Sequence, residues 1–180
     1  MAKQYKNINS ELQAFIARQK IFFVATAPKD GYINLSPKGM DTLKVMNESR
    51  LLWLNLTGSG NETAAHLLEN SRMTLMFCAF EGKPLILRLY GKATVINTTD
   101  AQWQDSLSLF PETTGARQII DMQIDLVQTS CGMGVPHLKF QEERPLLRDW
   151  AEKKGTEGLK QYRLKKNQIS INGQPTGTPE

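Results

Sequence analysis

With 180 residues, two cysteines and 40% hydrophobic residues, the chain has the length for one domain, at a size where folding hides about 70% of the unfolded surface. It is too cysteine-poor for a disulfide framework. The net charge of +4, from 22 basic and 18 acidic residues, lacks the dense basic patch of a nucleic-acid binder. The basic residues gathered at Lys153, Lys154, Lys160, Arg163, Lys165 and Lys166 read as a solvated helix face. No signal-peptide pattern opens the chain and no apolar run is long enough to cross a bilayer, so a cytoplasmic protein without membrane or nucleic-acid partners is expected. His66 and His137 have no metal-ligand spacing and no evident Ser or Cys partner for a catalytic triad.

Asn9 or Ser10 caps a first helix, with Leu12, Phe15 and Ile16 on one face. The apolar, β-branched and aromatic run 21–27 stops at Pro28. Lys29-Asp30-Gly31 turns the chain, and 32–35 resumes as the second strand of a hairpin. Pro37 is expected to end that strand, which leaves Lys38 exposed in a Ser-Pro-Lys-Gly turn, either as surface or as a point charge for a phosphate. A short strand follows at 42–46.

The stretch 51–80 organises the rest. An apolar strand at 51–56 runs into a Gly/Ser/Asn turn, a helix at 62–69 and a second apolar strand at 73–80. Asn61 and Thr63 stand where the helix begins, either as plain caps or beside N–H groups suited to an anion. The run 85–96 is a long strand interrupted by Gly91, which signals a bulge or a close backbone approach. Arg88 shares a face with Ile86 and Tyr90, and so needs a carboxylate neighbour or a bound anion. A helix from Thr99 or Asp100 carries Trp103 and Leu107 on its buried side, 115–120 reads as short and helical, and 122–128 alternates as a half-buried strand. Two helices, 146–154 and 156–165, flank Gly155, and the Gly, Pro and Thr-rich end 172–180 reads as a mobile tail. Hairpin order with few helices predicts a mainly β (α+β) protein. Its antiparallel sheet curls to hide its edges, and no GxGxxG marks a Rossmann fold.

The order hairpin, Ser36-Pro37-Lys38-Gly39, the strand 51–56, polar turn, short helix, Glu69-Asn70-Ser71-Arg72 and Arg88-Leu89-Tyr90-Gly91-Lys92-Ala93 resembles the pyridoxamine 5′-phosphate oxidase-like superfamily over residues 12–130. The loop 130–136 and the end of the chain look like a branch other than the B6 oxidase itself. The resemblance implies an FMN-binding split β-barrel over 8–130, a loop and helical extension over 131–171, and a homodimer with FMN in the groove between subunits. It implies a flavoprotein, an oxidoreductase acting on a small-molecule redox substrate. The alternative is a flavin- or haem-binding protein without catalysis, for sensing, storage or protection. Carried over residue by residue, Lys38 meets the FMN phosphate or a substrate anion, and Leu54, Asn55 and Leu56 line the isoalloxazine ring. Asn61, Glu62 and Thr63 fall where the oxidase has a Ser-Arg-Lys phosphate clamp, so phosphate binding leans on Asn61, Thr63, Lys38 and Arg88. Glu62 would oppose a phosphate unless it points away, and the chain lacks the arginine-containing C-terminal segment that holds pyridoxamine phosphate. Cys131 is either a flavin-side thiol or a small residue in a glycine-flanked loop.

Overall fold

In the computed structural model, which describes residues 2–179, Asn9 starts the first helix. Its side-chain oxygen accepts the Leu12 N–H at 2.9 Å, and α1 (Ser10–Arg18) buries Leu12, Phe15 and Ile16 as the helical period requires. Before it, β1 (Lys3–Tyr5) is a short strand. The hairpin β2 (Phe22–Thr26) and β3 (Asn34–Lys38) follows. Here the sequence reading is corrected: Pro37 does not end the strand but pairs with Phe23 inside it. β3 is the last strand on its side of the sheet, and an edge strand tolerates a residue with no N–H to donate.

β4 (Leu43–Asn47), β5 (Arg50–Leu56), α2 (Glu62–Glu69), β6 (Arg72–Cys78) and β7 (Ile86–Asn97) follow at or near the expected positions. The bulge does fall at Gly91, where the β7 register shifts. After α3 (Trp103–Leu107) comes β8 (Ala116–Ser130), a single long strand. The short helix expected at 115–120 is therefore absent. Those residues pair with β5 and with β7, because a strand flanked on both sides leaves its backbone groups no use for helical bonds. α4 (Leu146–Lys166) is two helices meeting at Gly155, whose φ of 65° and ψ of 176° break it, as the glycine predicted.

The strands form one sheet in the order β3-β2-β6-β7-β8-β5-β4, with β1 on β8 and every pairing antiparallel. The sheet is curled but not closed, leaving β3 and β4 as edges: an antiparallel split barrel. Inside lies the main core, with Val24, Trp53, Leu75, Phe77, Leu87, Leu89 and Met122. A second, smaller core of Leu52, Leu54, Ile96, Trp103, Phe110 and Ile119 fills the other face of β5 and β8 beside α3. Of the segment expected to be a mobile tail, residues 172–179 pack instead against the barrel, and Glu180 lies outside the described residues. Ile169 bridges Pro175, and Thr176 and Thr178 are buried. Their hydroxyls share the Asn167 carbonyl and so place the end of the chain. Among the described residues no helix is long and apolar enough to cross a membrane.

Candidate functional site

Alternation along β3 turns Asn34, Ser36 and Lys38 to one side, half-buried, and leaves Leu35 and Pro37 exposed on the other. The same rule on β5 puts Trp53 with Asn55 on one face and Leu52, Leu54 and Leu56 on the opposite one. β3 is not hydrogen-bonded to β5. The curl of the sheet nevertheless brings Lys38 Nζ over the Trp53 ring, 5.1 Å from its centroid. The mouth of the split is thus spanned by a cation on an aromatic face. At the other end of β3, Asn34 donates to the Thr63 hydroxyl at 3.3 Å, which ties β3 to the start of α2.

Deeper along β5, Asn55 opens a buried polar network. Its amide donates to Asn61 Oδ1 at 3.1 Å, and Asn61 donates in turn to Gln118 Oε1 and to the Thr178 hydroxyl, both at 2.8 Å. Asn61 therefore makes no side-chain cap to α2. Arg117 enters the same network. Asn55 pairs with Gln118 and Leu56 with Ala116, so Arg117 is the extra residue of a bulge, and bulges re-aim side chains. Its guanidinium donates to Gly60 O at 3.0 Å, Asn167 Oδ1 at 2.7 Å and Asn55 Oδ1 at 3.1 Å. Among the described residues neither Lys38 nor Arg117 forms an ion pair with a carboxylate. Burial, and then repulsion from Arg117, pushes Lys38 down to about 8. Burial, and then Arg163, pushes Arg117 down to about 10. Both shifts have the same two causes, burial first and a neighbouring positive charge second.

Of the residues expected at the site, the structure joins Asn55 and Asn61 by a hydrogen bond, sets Lys38 on Trp53, the neighbour of Asn55 on the same face of β5, and ties Thr63 to Asn34 at the other end of β3. Leu54 and Leu56 lie on the opposite face of β5, Leu54 inside the second core and Leu56 packed against it. Arg88 lies on the outer face of the sheet, opposite Met76 and Gln128. Among the described residues it forms no ion pair with a carboxylate, but donates to the Ser130 hydroxyl at 3.2 Å. The Glu62 carboxylate accepts the Ile171 N–H at 3.1 Å, and its Oε1 lies 3.3 Å from where a Cβ on Gly60 would stand. Cys131 is exposed, and the Met133 N–H beside its sulfur lowers its pKa. The neighbouring Gly132 has a structural reason: a Cβ there would stand 2.8 Å from the Leu85 backbone N. Among the described residues no group of His, Cys, Asp and Glu could hold a metal ion.

This geometry fits what comparison with known proteins finds. Residues 8–131 match the family profile described as pyridoxamine 5′-phosphate oxidase. The chain belongs to this family. It is 35% identical, over 189 aligned positions, to a pyridoxamine 5′-phosphate oxidase family protein, ustO, of Aspergillus flavus, spanning 95% of this chain and 76% of that one. Among solved structures it is similar to HupZ of Group A Streptococcus, with a TM-score of 0.54, 17% identity, and 66% and 91% of the two chains covered. It is also similar to a protein of Lactobacillus delbrueckii, with a TM-score of 0.51, 21% identity, and 68% and 94% covered. At these identities the likeness to the solved structures is one of fold.

For this member of the pyridoxamine 5′-phosphate oxidase family, the residue that sequence reasoning missed is Arg117. It lay in the stretch taken as helical. The adjacent pair Ile119-Ile120, both fully buried, is the signal that could have found it. Two successive β-branched residues running straight into an alternating segment extend a strand rather than start a helix.

Proposed function

We propose that this chain is a flavoprotein that binds FMN non-covalently as a homodimer and acts as an oxidoreductase on a small-molecule redox substrate. The single observation that carries this reading is Lys38. It is an inward-facing ammonium on Trp53 whose proton affinity is depressed by burial and then by the Arg117 charge. A phosphate monoester supplies a counter-charge. Lys38 would hold it, while Asn55 and Asn61 fix the wall behind it. The Glu62 carboxylate is held by the Ile171 N–H. Leu54 and Leu56 support β5 from the second core and do not touch the cofactor. Bound there, the flavin ring supplies the acceptance and donation of hydride; the chain supplies its placement and shields it from water.

Family membership supports the dimer, and the outer face supplies a surface for it. Leu35 is 62% and Ile33 75% exposed, and Phe23, Ala25, Met76 and Tyr90 continue the half-covered face beside them. Arg88 belongs to this surface. Because β3 carries Leu35 and Lys38 on opposite faces, one strand serves both the interface and the phosphate.

Protein passed through a desalting column after incubation with FMN is expected to keep the flavin absorbance bands, one flavin per chain. It should bind riboflavin, which lacks the phosphate, about tenfold or more weakly. A colourless protein after that treatment overturns the reading. Light scattering is expected to give the mass of a dimer, and Leu35→Asp to give a monomer that has lost most of its flavin. A monomeric wild type that retains FMN removes the interface from the proposal.

A further inference from the structure

Arg117 stands out from the other cations of the chain. It is 3% exposed, and a guanidinium buried to that degree ordinarily faces a carboxylate, since an unpaired buried charge is costly. Here its acceptors are neutral: the Gly60 carbonyl and the side-chain oxygens of Asn167 and Asn55. These use three of the five N–H donors that a guanidinium has. Nε is buried with no partner at all. Asn55, which holds one arm of the fork, is the inward neighbour of Trp53, and Trp53 carries Lys38 on its ring. Two cations thus sit at the two ends of one short stretch of β5, close enough for Arg117 to depress Lys38. Among the described residues no acid forms an ion pair with either of them. The bulge that admits Arg117 aims an extra residue to the place where Asn55, Gly60 and Asn167 grip it.

We propose that Arg117 is the second cation of the anion site, and that with Lys38 it makes the site selective for a doubly charged phosphate group over a singly charged carboxylate. Lys38 at the mouth supplies a point charge and Arg117 beneath it a fixed, pre-formed fork. A dianion matches two uncompensated positive charges; a monoanion leaves one unpaired. The inference deepens the flavin reading, whose phosphate is the anion in question. Its test uses inorganic phosphate, so the two stand or fall separately.

Isothermal titration of the full chain with inorganic phosphate, and with acetate as the monoanion, measures the site directly. Phosphate is expected to bind with acetate at least about tenfold weaker. Phosphate affinity should rise as pH increases through the second ionisation of inorganic phosphate at about 7, a unit or so above that of a phosphate monoester, until Lys38 loses its proton at about 8. Arg117→Gln should weaken phosphate about tenfold or more, and Arg117→Lys, which keeps the charge but loses the fork, by less. A folded Arg117→Gln protein with wild-type phosphate affinity overturns the proposal. So do a wild type that binds no phosphate at millimolar concentration, equal affinity for acetate, and an affinity that is flat across the second ionisation. The last three need no variant, so they decide the matter even if Arg117→Gln fails to fold. Phosphate binding that depends on Arg117, in a protein that retains no FMN, keeps this inference and removes the flavin reading. FMN retained equally by wild type and Arg117→Gln does the reverse.

Discussion

Gly91→Ala should cost the protein about 3 kcal/mol of stability or more, one of the largest losses available to a single methyl group in this chain. A Cβ built at Gly91 stands 2.0 Å from the Gln123 carbonyl oxygen and 2.9 Å from the Gln123 carbonyl carbon. Both are backbone atoms of β8, so no side chain can swing aside. The cause lies in the register. Tyr90 pairs with Leu126 but Gly91 pairs with Ile124, so β8 carries one extra residue opposite that step and its backbone is driven against β7. On its other side Gly91 pairs with Met73 of β6, so β7 cannot retreat either. Relief requires shifting a strand that runs the length of the sheet. In a domain of this size the loss should appear as a fall in melting temperature of roughly 6–12 °C. Gly134→Ala is the control. Nothing lies within 4 Å of a Cβ there, and its cost should stay within about 0.5 kcal/mol. Urea unfolding of both variants is the measurement. A Gly91→Ala protein within about 1 kcal/mol of wild type would mean that the β7–β8 approach is looser than the register implies.

Gly91 also shows where the sequence is readable. A glycine inside an otherwise apolar, β-branched run has few explanations, and the bulge follows from chemistry local to that run. α2 was legible for the same reason: its apolar face and flanking polar turns lie within one short window, and its bounds Glu62–Glu69 match the expectation. What stayed hidden depended on partners distant in the chain. Pro37 reads as a strand breaker until β3 is known to be an edge. Arg117 reads as a helical surface residue until β5 and β7 are known to flank it. Thr176 and Thr178 read as a solvated end until Asn61 and Asn167, 117 and 9 residues away respectively, are brought to them. The candidate site was half legible on the same grounds. Lys38, Asn55, Asn61 and Thr63 occupy β3, β5 and the start of α2. Strand alternation already sets Leu54 and Leu56 on the face opposite Asn55, and Arg88 on the face opposite Leu87 and Leu89; which face is the inner one, and that Lys38 meets Trp53, depends on the curl of the sheet.

Lys38→Met should stabilise the flavin-free protein at neutral pH while weakening its hold on an anion, and the two effects have one cause. In the folded chain Lys38 loses its proton near 8, against an ordinary value of 10.5. Burial is the larger reason and Arg117 the smaller. Below about pH 8 the ammonium is charged in both folded and unfolded states, and the full cost of burying it falls on the fold. Between about 8 and 10.5 the unfolded chain keeps a proton that the folded chain has released, so this residue's contribution makes stability rise with pH. Above that window the cost is gone. Each pKa unit corresponds to about 1.4 kcal/mol, so the cost at neutral pH is on the order of 2–3 kcal/mol. Methionine keeps an apolar stem against Trp53 and removes the charge. The variant should therefore exceed wild type by about that amount in urea unfolding near neutral pH, with the gap closing as pH approaches about 10. It should also lose about tenfold or more in FMN affinity by fluorescence titration. Adding FMN to wild type reverses the order of stability, because a phosphate beside Lys38 restores the charge its reason to be there and draws the pKa back up. A variant less stable than wild type near neutral pH, or one that binds FMN unchanged, would show that the Lys38 ammonium is already compensated within the chain and has no part in anion binding.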